Sequence, residues 1–125
     1  ECETDLDKIK MGEHDMCHIG WTGDNGDPDN FLYVLLSAAA AEKPAQNYSF
    51  WKDAKFNELI EKAKVTADVK VRTELYKEAQ VIVAKEAPWV IIANSVVVEP
   101  VLEKVNGFKI DPVGKRRFHK VWIAK

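Results

Sequence analysis

Apolar residues recur at helical spacing over much of the sequence before Pro88. The first clear pattern follows Asp27, which precedes a proline and fits the cap of a helix that runs to about Ala41. Its apolar positions are Phe31, Leu32, Leu35 and Leu36. A weaker pattern predicts a short helix over residues 3–13, and residues 42–49 have the composition of a loop.

Two further helices are predicted before Pro88. Asp53 opens the first of them, which has a single apolar stripe formed by Phe56, Leu59, Ile60 and Ala63. The second starts near Asp68 and ends before Pro88, because a proline disfavours helical geometry in the residue that precedes it. We expect its inner face to consist of Val71, Leu75, Ala79, Ile82 and Val83.

Four other segments have the composition of β-strands. They are Met16–Trp21, Trp89–Val98, Phe108–Ile110 and Phe118–Ile123. With the helices, they give the order strand, three helices, three strands. This order predicts a mixed α/β unit, with a sheet flanked by helices.

Composition narrows the class of protein. The chain has 125 residues, of which 46% are hydrophobic and 30% charged, as in one globular domain and unlike a disordered chain. Its formal net charge of −2 gives no reason to expect nucleic acid as a partner. The basic run Lys115–Arg117 is too short to predict a site for a polyanion. Acidic residues predominate in residues 1–31 and basic residues in residues 103–125, and we interpret these segments as two solvated faces. The start at Glu1, without methionine or a helix cap, predicts a processed or partial chain.

The segment from Gly20 to Phe31 concentrates polar and flexible residues between two apolar stretches. It contains three glycines, three carboxylates and two carboxamides. Asp27 and Asp29 fit the start of the following helix, whereas Asp24 comes at the end of a predicted strand. Asp24 is therefore a candidate partner for a cationic ligand group, with an Asx turn as the alternative.

The sequence supports a metal site or a catalytic site less well than a ligand contact at Asp24. His14, Cys17 and His18, with Cys2 upstream, have zinc-ligand chemistry, but no second pair follows at a zinc-finger spacing. The aspartates of the loop do not fit the register of a helix–loop–helix calcium site. We do not expect an enzyme or a cofactor. A small metal-dependent hydrolase that uses His14, Cys17, His18 and the acidic loop is the alternative from another class.

A series of motifs follows along the chain in a recognisable order. They are Gly20–Phe31 (GWTGDNGDPDNF), Asn47-Tyr48-Ser49, Arg72–Gln80 (RTELYKEAQ), Ala87-Pro88, Glu99-Pro100-Val101, Val105–Phe108 and Asp111–Lys115. In this order they resemble one bacterial family, the dipeptide-binding proteins of the peptide, nickel and haem class of periplasmic substrate-binding proteins. The similarity extends from about Leu6 to Ile123.

This resemblance implies a part of a two-lobed α/β fold. Members of the family are several times longer, and the chain resembles only their C-terminal portion. Residues 1–95 would belong to the distal lobe, and residues 96–125 would cross back to the other lobe. Close relatives have a disulfide at the positions of Ala38 and Lys52, which this chain lacks.

The resemblance also implies a function. The chain would bind a dipeptide or short peptide for an ABC permease of the inner membrane, in the periplasm or anchored by lipid at the outer face of the cell membrane. Asp24 would pair with the ammonium of the peptide, and Gly20, Trp21 and Thr22 would contact its backbone. The arginine that binds the peptide carboxylate would lie in the remainder of the parent chain. Haem, glutathione and nickel are the alternative ligands within the class.

Overall fold

The computed structural model describes residues 2–124 and divides the chain into two compact units. The boundary falls between Val90 and Ile91. No helix among the described residues has the length and apolar character that crossing a membrane requires. The assignment of residues 1–95 and 96–125 to different lobes remains a prediction.

The first unit is helical. Its helices are α1 (Cys2–Lys10), α2 (Asp29–Leu36), α3 (Ala54–Val65) and α4 (Val69–Glu86), and a short 3₁₀ turn (Ala39–Ala41) follows α2. All four predicted helices are confirmed. The continuous helix expected up to Ala41 is interrupted at Ser37, whose extended backbone ends α2 and whose hydroxyl accepts a hydrogen bond from the N–H of Ala40.

Aspartate caps fix the starts of α3 and α4. The Asp53 carboxylate accepts a hydrogen bond from the N–H of Phe56 at 2.7 Å. The Asp68 carboxylate accepts from the N–H groups of Lys70 and Val71. Each cap satisfies donors that have no partner inside the helix, so these boundaries follow from local sequence.

The core of this unit lies among α2, α3 and α4. Its buried members are Leu36, Phe56, Leu59, Ile60 and Ala79, and Trp51 and Trp89 are among the partly buried side chains packed against them. The predicted stripe of α3 is buried throughout.

The predicted inner face of α4 needs a correction. Val71 is 49% exposed, whereas Tyr76, which was not assigned to that face, is only 4% exposed. The hydroxyl of Tyr76 accepts a hydrogen bond from Arg72. A tyrosine can be buried in this way because its polar end has a partner.

The second unit contains a small antiparallel sheet. Strands β1 (Val105–Asn106) and β2 (Trp122–Ile123) pair with Val105 opposite Ile123. Gly107 follows β1 with φ of +76°, and a Cβ there would overlap the carbonyl oxygen of Lys120, so the turn requires glycine.

Most strand predictions are wrong for the described residues. Met16–Trp21, Trp89–Val98 and Phe108–Ile110 form no strand, and only Trp122–Ile123 of the last segment does. Ile91, Val96 and Val98 are among the apolar side chains left exposed. A strand needs a partner for its backbone hydrogen bonds, and these segments find none among residues 2–124.

Candidate functional site

An exposed segment outside any helix or strand leads into the polar loop before α2. Gly20, Trp21 and Thr22 are all exposed, and Trp21 lies outside the buried core. Within residues 2–124, the backbone groups of residues 20–23 form no hydrogen bond with another backbone group. These N–H and C=O groups are therefore open to another extended chain.

Asn30, in the first turn of α2, joins the loop to this segment. Its Oδ1 accepts hydrogen bonds from the N–H of Asp24 at 2.9 Å and from Nε1 of Trp21 at 3.1 Å. Its Nδ2 donates to Oδ2 of Asp24 at 3.4 Å. One carboxamide thus contacts both Asp24 and Trp21, which the sequence marked as candidate ligand contacts.

Asp27 has a different role from Asp24. Its two carboxylate oxygens accept from Nη2 and Nη1 of Arg72, each at 2.7 Å, and Oδ1 also accepts from the N–H of Asp29 at 3.0 Å. Arg72 is held in turn by the carbonyl of Ala63 and the hydroxyl of Tyr76. Asp27 therefore ties the loop to the α3–α4 hairpin.

The environments of Asp27 and Asp29 shift their pKa values in opposite directions. The hydrogen bonds from Arg72 lower the pKa of Asp27 from 3.8 to about 2. Burial, with a hydrogen bond to Asp27, raises the pKa of Asp29. Asp27 also raises the pKa of Arg72, so both members of this pair are charged at neutral pH.

Asp24 is the most exposed of the three carboxylates in the loop. Its side chain is exposed, and it forms no ion pair with any lysine, arginine or histidine among residues 2–124. The three aspartates therefore divide into one anchored to Arg72, one at the start of α2 and one that faces solvent.

Two glycines shape the loop. A Cβ at Gly23 would lie 2.8 Å from the ring of Phe31, which packs against the backbone there. Gly26 has φ of +54°, a conformation that side chains with a Cβ rarely adopt. The segment thus turns tightly from Asp24 back to the start of α2.

The candidate zinc ligands are not brought together. Among the described residues, no three His, Cys, Asp or Glu side chains converge as a metal site requires. His14 Nε2 is 3.1 Å from the carbonyl oxygen of Tyr48, which makes it a contact between the first turn after α1 and the loop before α3. Cys17 is a free thiol, and the side chain of Cys2 lies outside the described part of the chain.

Comparison with known proteins finds relatives that match most of this chain. No family model matches the sequence. The chain is 50% identical over 118 residues to the dipeptide-binding protein of Escherichia coli, covering 94% of this chain and 22% of that protein. The chain is homologous to part of the dipeptide-binding proteins. It is also 38% identical over 116 residues to haem-binding protein A of Haemophilus influenzae, covering 93% of this chain and 21% of that protein.

A solved structure supports the same relationship. The ABC transporter-associated periplasmic binding protein DppA from Helicobacter pylori, in complex with the peptide STSA, superimposes with a TM-score of 0.93 and 45% identity. The match covers 100% of this chain and 25% of that structure. The expected α/β fold of a periplasmic binding protein is therefore confirmed, as a helix-rich part with a small sheet. The chain spans about 22% of the length of the curated dipeptide-binding relative.

Sequence reasoning missed two residues of this site. Asn30 was one of many polar residues in the loop, and no pattern distinguished it as the contact of Asp24 and Trp21. Arg72 stood out only in the motif that resembles the family, where it carried no role. Its separation from Asp27 by 45 positions leaves no local signal.

Proposed function

We propose that this chain is the C-terminal portion of a periplasmic, or lipid-anchored, binding protein that delivers dipeptides or short peptides to an ABC permease. Asp24 pairs with the N-terminal ammonium of the peptide, and the backbone of residues 20–22 bonds to the peptide backbone. The protein binds and releases its ligand without changing it chemically, so it is not an enzyme.

The observation that carries this proposal is the state of Asp24. Its carboxylate is exposed, has no cationic partner among residues 2–124, and accepts a hydrogen bond from Nδ2 of Asn30. The open backbone of residues 20–23 begins directly before it. A peptide presents the complementary groups next to each other, a cationic amine adjoining alternating C=O and N–H groups. The relatives named for peptide binding support the same ligand class.

A haem ligand is the second candidate, because one relative is a haem-binding protein. Haem carries carboxylates and no ammonium, so an exposed aspartate at the site favours the peptide. Binding of haem but of no dipeptide by the full-length protein would favour the second candidate.

The test is calorimetry on the full-length protein that we propose contains this chain. Wild type, Asp24→Asn and the control Asp15→Asn are each titrated with a dipeptide and with its N-acetylated form. We expect Asp24→Asn to weaken binding of the free dipeptide by about thirtyfold or more, as for the loss of one member of a desolvated charge pair. Asp15, an exposed carboxylate outside the loop, should have no effect.

N-acetylation separates an ammonium contact from a general loss of binding. In wild type it should weaken binding about as much as Asp24→Asn does. In Asp24→Asn it should cost little more, because the partner of the ammonium is already lost. An unchanged dissociation constant for Asp24→Asn would remove Asp24 from the site.

A further inference from the structure

We infer that Asn30 is the positioning residue of this site, which holds the carboxylate of Asp24 and the indole of Trp21 in a fixed arrangement for the peptide amine. This inference rests on the proposed function. In this role Asn30 does not contact the ligand. It increases the selectivity of the site for a free ammonium by holding Asp24 in place.

The hydrogen bonds of Asn30 carry the inference. Its Oδ1 accepts from the N–H of Asp24 at 2.9 Å, which fixes the backbone of Asp24, and from Nε1 of Trp21 at 3.1 Å. Its Nδ2 approaches Oδ2 of Asp24 at 3.4 Å. A carboxamide is the side chain that can accept at one end and donate at the other in this geometry. Aspartate or leucine, which have similar shapes, would each lose at least one of these contacts.

Asn30 is itself held on a rigid element. It belongs to the first turn of α2, whose Leu36 lies in the buried core. The residue three positions before it, Asp27, is bonded to Arg72 of α4 through two hydrogen bonds of 2.7 Å. The exposed loop is thereby bonded to the helices at two points: Asp24 to Asn30 of α2, and Asp27 to Arg72 of α4.

This arrangement matters because Asp24 is exposed. A carboxylate on a mobile loop has to lose conformational freedom when it binds an amine, and this cost weakens the complex. When the backbone and one carboxylate oxygen are already hydrogen-bonded, less conformational freedom is lost on binding, and the complex is more stable. The indole of Trp21 donates a hydrogen bond to the same carboxamide.

The experiment uses the full-length protein and three variants, Asn30→Ala, Asn30→Gln and the control Asn57→Ala. Asn57 also accepts a hydrogen bond from a backbone N–H, that of Ala38, but contacts neither Asp24 nor Trp21. The quantity measured is the ratio of dissociation constants for an N-acetylated and a free dipeptide. Asn30→Ala should reduce this ratio about tenfold through weaker binding of the free dipeptide, and Asn57→Ala should leave the ratio unchanged.

A spectroscopic measurement separates positioning from stability. The indole N–H signal of Trp21, identified by its loss in Trp21→Phe, should shift in Asn30→Ala, while those of Trp51, Trp89 and Trp122 stay in place. Asn30→Gln keeps the amide chemistry and helix propensity but moves the amide by one methylene, so it too should reduce the ratio. If Asn30→Ala fails to fold, this variant decides the question.

The outcomes distinguish the two proposals. If Asp24→Asn leaves the ratio at its wild-type value, the proposed function fails. If Asp24→Asn lowers the ratio but Asn30→Ala and Asn30→Gln keep the wild-type value, the proposed function stands and the role of Asn30 is overturned. A fall of the ratio in Asn57→Ala equal to that in Asn30→Ala would also overturn it, because the effect would then be one of stability.

Discussion

Arg72 and Asp27, 45 residues apart in the sequence, form a two-pronged ion pair in which both carboxylate oxygens accept from the guanidinium at 2.7 Å. Arg72 also donates from Nε to the carbonyl of Ala63 and from Nη2 to the hydroxyl of Tyr76. The pair therefore joins the loop before α2 to the α3–α4 hairpin. The other two hydrogen bonds hold the guanidinium in the orientation that the pair requires.

Replacing Arg72 should lower the thermal stability of the chain. Arg72→Lys keeps the charge but loses the fork that bonds to both oxygens of Asp27, so we expect its melting temperature to fall by several degrees, nearly as far as that of Arg72→Met. Thermal unfolding followed by circular dichroism measures this. Lys70→Met removes an exposed cation from the same helix and serves as the control. A melting temperature for Arg72→Lys equal to that of wild type would contradict the importance of the fork.

The same ion pair predicts how stability depends on pH. The pKa of Asp27 is about 2 in the folded chain and 3.8 without its partners. Between these values the unfolded chain binds more protons than the folded one, so the contribution of Asp27 is complete above about pH 4 and is lost as the pH falls from there towards 2.

Asp29 opposes this effect, because its pKa is raised in the folded chain. The measurement is therefore made in an Asp29→Asn background, where the backbone N–H of residue 29 still reaches Asp27. Urea unfolding gives the free energy of unfolding at each pH for Asp29→Asn and for the double variant Asp27→Asn/Asp29→Asn. The two free energies should differ at pH 6 and converge towards pH 2. A constant difference across this range would show that the charge of Asp27 does not stabilise the fold.

Asn47 organises the loop before α3. It is fully buried, its Nδ2 donates to the carbonyls of Ser37 and Trp51, and its Oδ1 accepts from the hydroxyl of Ser49. Asn47→Ala would leave buried carbonyls without donors, so it should destabilise the chain by about 2 kcal/mol. Urea unfolding measures the change, with the exposed Gln46→Ala as control. A loss of less than about 0.5 kcal/mol, as for a surface substitution, would contradict this role.

The 125-residue chain alone should bind a dipeptide much more weakly than the full-length protein does. It spans about 22% of the length of the dipeptide-binding relative, and its Asp24 is exposed, where an ion pair contributes only about 0–1 kcal/mol. Calorimetry of the chain and of the full-length protein with the same dipeptide compares the two. Micromolar binding by the chain alone would show that it holds a complete site.

The sequence by itself determined that the four helices form and where α3 and α4 begin. Asp53 and Asp68 cap α3 and α4 as predicted, and the α3 stripe from Phe56 to Ala63 is buried. These features depend on hydrogen bonds and spacings within a few residues, so a local pattern contains them. The resemblance of Gly20–Phe31 to a family of binding proteins was likewise carried by a continuous segment, and it drew attention to Asp24.

Only the tertiary structure decided which residues meet. It brought Arg72 to Asp27, turned Tyr76 rather than Val71 into the core, and folded Asn30 back onto Asp24 and Trp21. It also left Met16–Trp21 and Trp89–Val98 without a pairing strand among the described residues, although their composition is that of strands. A strand or an ion pair needs a second segment at the right place, and the distance between two segments is a property of the folded chain.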